Sequence, residues 1–135
     1  MTTPSAALSI RFSLAFLWIY QGLFPKLLFI NADEIAVWQW FGLSHTAAIW
    51  AGQAAGVGEI LFGLCFLCSQ HRYLHYLNIA ALIGLFLLTT LLMPQSLIGA
   101  FNPVVMNFSM LMLSVVYLQL SDVAVLEFSA RDGSS

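Results

Sequence analysis

The sequence predicts an all-α, integral membrane four-helix bundle with a short interfacial helix between its first and second spans. Three observations lead there. The 135-residue chain is 61% hydrophobic and only 7% charged, where soluble domains average about 45–50% apolar and about 25% charged residues. So few charges cannot coat a water-facing surface. Four apolar stretches reach the roughly 17–25 residues that a helix needs to cross a bilayer. None alternates strictly between apolar and polar residues as a barrel strand does, and a backbone in lipid must satisfy its own hydrogen bonds, so the spans are helices. The length suits a single membrane domain over residues 1–135. A net charge of −2 and the lack of any basic run give no signal for nucleic-acid binding.

The first span is expected over about Ala6 to Phe24, closed by Pro25, which a helix interior does not tolerate. Its only basic residue, Arg11, sits inside the apolar run, and no small-x-small cleavage site follows, so it reads as a retained span rather than a signal peptide. Lys26 is expected to snorkel to the outer interface. The stretch "LLFINADEIAVWQWFGLSH" follows, and Asp33 and Glu34 suit the start of a short helix over about 33–43. With Trp38 and Trp40 it belongs at the headgroup level or folded onto the bundle, and it is too short to span. The second span is expected over about Thr46 to Cys68, with Ser44 as N-cap. A tight polar link, "SQHR", leads to the third, about Tyr73 to Met93, which Pro94 ends. The fourth runs from about Pro103 to Leu120, with Asn102 as cap and Pro103 at the first helical position. With the N-terminus inside, Arg11, Arg72 and Arg131 lie on the inner side and Lys26 on the outer, which favours cytoplasmic termini.

Glu59 is the most unusual residue, a carboxylate roughly midway through the second span. Such a group costs at least about 2.5 kcal/mol and usually faces the bundle interior or a cavity. It reads as a proton-relay or ligand-anchoring group, or as half of a structural pair with Arg11, or as a protonated acid bonded to a neighbour. Gly52, Gly56 and Gly63, with Ala51, Ala54 and Ala55, form a small-residue face that favours close helix packing within the bundle over a dimer seam.

Cys65 and Cys68 form a C-x-x-C on one helix face. Without a βαβ context, and on a reducing side, they read as small buried hydrophobes rather than a redox pair. His71 and His75 extend them to a C-x-x-C-x-x-H-x-x-x-H string, but binding metal would require a break in the helix, so interfacial histidines are expected and no metal site. At the outer face Tyr20, Gln21 and Lys26 are expected to meet "AFNPVVMN", where Asn102 and Asn107 supply amides, as a mouth for a small amphipathic ligand. The plainer reading makes Asn102 a cap and Asn107 a helix–helix hydrogen bond.

"LWIYQGLFPKLLF", then "ADE", then "AGVGEILFGL", then "FNPVVMN" together resemble the DoxX-like family, part of the DoxX/DoxD group of small four-helix membrane proteins, from about Arg11 to about Leu120. The matching positions are Tyr20, Gln21, Gly22, Pro25, Lys26, Glu59, Asn102, Pro103 and Asn107. The resemblance implies the four-helix fold and a place in the cytoplasmic (inner) membrane of a bacterium. The wider group includes a membrane subunit of a thiosulfate:quinone oxidoreductase and proteins of membrane redox complexes. This implies a quinone as ligand and a membrane redox partner. No intrinsic cofactor is expected, since the chain shows no haem-ligand pair, flavin motif or metal cluster.

Two functions stay open. One is a site for a quinone or another lipid-soluble molecule, with Glu59 handling a proton or hydroxyl and Lys26 and the asparagines holding an oxygen. The other is a non-catalytic accessory subunit of a membrane complex, or of a homo-oligomer. A transporter fits less well, because four helices without an internal repeat are few for alternating access.

Overall fold

A computed structural model describes residues 3–98 and 102–132. The expected 100–107 stretch therefore begins outside the described residues. The described residues form helices joined by short links: α1 (Thr3–Leu23), a π-turn (Phe24–Leu28), α2 (Ala32–Trp40), α3 (His45–Cys68), α4 (Arg72–Leu92), a 3₁₀ turn (Pro94–Ile98) and α5 (Pro103–Asp132). Among the described residues four segments are long and apolar enough to cross a membrane: Ser5–Leu28, His45–Cys68, Arg72–Leu92 and Pro103–Leu126. They group into two compact units, Phe12–Ser69 and Met1–Arg11 with Gln70–Ser135.

In the first unit, α1 and α3 run antiparallel, since Gly22 meets Gly56 and Ala15 meets Gly63. The small face of α3 packs inward as expected: Ala48, Gly52, Gly56 and Gly63 are buried together with Phe66. The ring of Phe62 stands edge-on to Trp18 at 5.1 Å. The short helix α2 lies against the N-terminal half of α3, where the Trp38 indole faces Gly52. Asn31 starts α2, its side chain accepting from the Asp33 amide at 3.0 Å. Gly42 then turns the chain at φ +89°, a backbone conformation that L side chains resist. Ser44 caps α3 as expected, accepting from the Ala47 amide.

Pro25 does not close the first span. The chain winds on through a π-turn, with the Phe29 amide bonding the Phe24 carbonyl at 2.8 Å and the Asn31 amide the Pro25 carbonyl at 3.1 Å. Proline lacks an amide proton and its ring crowds the carbonyl four residues back; a wider turn relieves that clash without ending the helix.

In the second unit, α4 and α5 are antiparallel, since Arg72 pairs with Asp122, His75 with Ser114 and Asn78 with Met110 and Ser114. The Met93 amide closes α4 on the Thr89 carbonyl, one residue before Pro94. α5 is longer than the sequence suggested, 30 residues instead of ending near Leu120. No glycine or proline interrupts it between Pro103 and Gly133, and at about 1.5 Å per residue it extends some 45 Å.

Candidate functional site

The first unit gathers three charges at one point. Lys26 comes from the π-turn, Glu34 from the first turn of α2 and Glu59 from α3. The ammonium nitrogen of Lys26 lies 2.5 Å from Oε1 of Glu59 and 3.4 Å from Oε1 of Glu34. Only 10% of the lysine side chain is exposed, against 14% for Glu59 and 32% for Glu34. Oε2 of Glu59 is buried and has no hydrogen-bond partner among the described residues. The cluster therefore holds two carboxylates on one ammonium, with an acceptor to spare on the more enclosed of the two acids.

Local backbone makes this possible. Gly22 and Gly56 bring α1 and α3 into backbone contact, and Gly56 sits against Cβ of Lys26. From there the lysine stem lies along α3 and reaches Glu59, one helical turn further in. Glu59 is 14 residues into α3, about 21 Å along its axis. An unpaired charge at that depth is expensive, and a neighbouring ammonium is its natural counterion.

One sequence-based expectation is corrected here. Lys26 does not snorkel outward but turns inward, because two carboxylates outbid the interface for its ammonium. Within the first unit Glu59 is paired with Lys26. Arg11 is itself buried, at 7% exposure, and belongs to the second unit.

The remaining expected residues have separate places. Tyr20 is exposed, its ring stacked on Phe24 with centroids 4.7 Å apart. Gln21 is half-buried. Asn102 belongs to the second unit and works as a cap: Oδ1 accepts from the Val104 amide at 2.8 Å, and Nδ2 donates to the Leu97 carbonyl. Asn107 is buried in that same unit.

The second unit has a polar cluster of its own. His75, Asn78 and Ser114 are each at most 1% exposed. Asn78 Nδ2 donates to Ser114 Oγ at 2.8 Å, and Ser114 Oγ lies 3.1 Å from Nδ1 of His75. The serine hydroxyl accepts from the amide and also lies within hydrogen-bond reach of the imidazole, so it links the two side chains. The imidazole stacks on Tyr117, centroids 3.7 Å apart and planes 11° from parallel, and the Tyr117 hydroxyl donates to the Gln70 carbonyl. His75 is therefore an interior group and not the interfacial histidine expected. Cys65 and Cys68 are free and exposed instead of buried.

Sequence reasoning missed Glu34 as a partner of Lys26, and missed Asn78, Ser114 and Tyr117. The second group left a signal. His75 and Asn78 are three apart within one apolar run, as are Ser114 and Tyr117 in another, and polar residues at that spacing share one helix face. Glu34 left little, since an acid in a first turn is explained by the helix dipole alone.

The model of the DoxX-like family matches residues 15–115 of this chain. Comparison with curated proteins and with solved structures gave no match.

Proposed function

The chain belongs to the DoxX-like family and is a small integral membrane protein, and from that premise we propose that it binds a quinone or another lipid-soluble small molecule at Lys26 and Glu59, in a redox process at the membrane. One observation carries this reading: the buried Glu59 keeps an unpartnered oxygen, Oε2, beside an ammonium whose three donors are shared by only two carboxylates. A quinone presents carbonyl oxygens, which take a proton donor; its reduced form presents hydroxyls, which take an acceptor. Lys26 supplies the first and Glu59 Oε2 the second. The electrons would pass to or from a membrane redox partner. Asn102 drops out of the ligand set, since its side chain is spent on backbone groups.

The competing reading makes the chain a non-catalytic accessory subunit, with the Lys26–Glu59 pair clasping α1 to α3. The close Gly22–Gly56 contact favours it. Titration of a short-chain quinone into the protein in detergent, read by tryptophan quenching, separates the two. Saturable quenching that is lost in Glu59→Gln supports the ligand site. Quenching that never saturates supports the accessory reading.

The setting proposed is the cytoplasmic membrane of a bacterium with both termini inside, on the distribution of Arg11, Arg72, Arg131 and Lys26. A reporter fused after Ser44 should be active only on the outer side; activity in the cytoplasm would reverse the orientation.

A further inference from the structure

Lys26 joins two carboxylates of unequal exposure. Glu59 is enclosed and has the orphaned oxygen, while Glu34, on α2, is about twice as open to the surroundings. With both acids ionised the trio carries a net charge of −1, and one added proton neutralises it. We propose that Glu34 is the outer terminus of a proton relay, Glu59–Lys26–Glu34, which connects the buried ligand-facing carboxylate to the surface through α2. The inference rests on reading Glu59 as a ligand-facing group and adds Glu34 as the residue that empties or refills it.

The step balances without a further reactant. Glu59 in its acid form passes its proton to the nitrogen of Lys26 while the ammonium passes one of its own to the Glu34 carboxylate. One O–H and one N–H bond break, and one N–H and one O–H bond form. The lysine ends as the ammonium it began as, and the trio stays neutral throughout. The 2.5 Å and 3.4 Å separations place both transfers at or near hydrogen-bond reach. Few other groups compete for the proton. From α1 within this unit the only titratable side chain is Tyr20, which is exposed and stacked on Phe24. From α2 there is also Asp33, exposed at the helix start. From α3 there are His45, exposed at its first residue, and Cys65 and Cys68, exposed at its far end.

The test follows the carboxyl stretch of protonated Glu59 by time-resolved infrared after a pH jump, on the full chain in detergent, with the band assigned by its loss in Glu59→Gln. Lys26→Arg keeps a cation on both carboxylates but installs a guanidinium that does not give up its proton. We expect it to slow proton exchange at Glu59 roughly tenfold or more. Glu34→Gln should do the same, and Glu34→Asp should restore part of the rate. Parental kinetics in both Lys26→Arg and Glu34→Gln would overturn the relay, as would a Glu59 that never takes a proton at any pH the fold survives. Quinone quenching on the same samples tests the ligand reading separately. Its failure alongside slowed exchange in the variants would remove the ligand and leave the relay supported.

Discussion

Gly22 and Gly56 meet backbone to backbone. A Cβ placed on Gly56 would lie 2.7 Å from the carbonyl oxygen of Gly22 and 2.8 Å from Cβ of Lys26. The contact that joins α1 to α3 and the contact that aims the lysine are therefore one and the same.

Gly56→Ala should lower stability by about 1–3 kcal/mol, the usual range for overpacking a tight site. The clash is with backbone, which cannot swing aside. Gly58→Ala and Gly84→Ala meet open space and should be neutral or gain up to about 1 kcal/mol from better helix propensity. Thermal unfolding in detergent compares the three, and equal effects at all of them would show that α1 and α3 are not in contact at Gly56.

Removing one member of the buried ion pair should cost more than removing both. Lys26→Met leaves Glu59 facing Glu34 without a cation, and a loss of about 3–5 kcal/mol is expected for a buried charge stripped of its partner. Adding Glu59→Leu should recover much of it. Additive losses in the double variant would mean that the two groups do not interact.

Ser114 satisfies two buried neighbours at once. Ser114→Ala should cost about 1–3 kcal/mol, since both His75 and Asn78 lose a partner away from water. The variant His75→Phe, Asn78→Leu, Ser114→Ala, which removes every polar side chain of the trio, should be closer to the parent than Ser114→Ala alone. The reverse order, read by unfolding in detergent, would count against a shared network.

Replacing Cys65 and Cys68 together by serine should change stability by no more than about 0.5 kcal/mol, as for other exposed substitutions. Quinone quenching should be unchanged as well. A midpoint potential that disappears in the double variant would instead assign these thiols a redox role.

The parts of the fold that were legible were those where one residue type has one physical use. Ser44 and Asn102 cap helices, the stretch ahead of Pro94 ends one, and the glycines of α3 admit a close neighbour, all as their chemistry requires. Glu59 stood out because a carboxylate in a span has few excuses. Its pairing with Lys26 was missed because the sequence sets that lysine beyond the end of the first span, at the outer interface. The pairing depends on the π-turn, which nothing local in "GLFPKLL" announces beyond the proline. The His75 network was hidden for a related reason. Isolated polar residues on two helices are individually unremarkable until antiparallel packing sets them opposite one another.

A π-turn takes up more residues per turn than the α-helix on either side, so the backbone beyond Leu28 leaves the first span rotated from the direction an unbroken α-helix would give it. Deleting a single residue between Phe24 and Leu28 would swing the α2 arm, Glu34 included, by roughly 100° around the axis of the span. The distance between the ends would hardly change. In this stretch chain length is read out as angle, and a one-residue indel that any surface loop would absorb becomes a change of partner for Lys26.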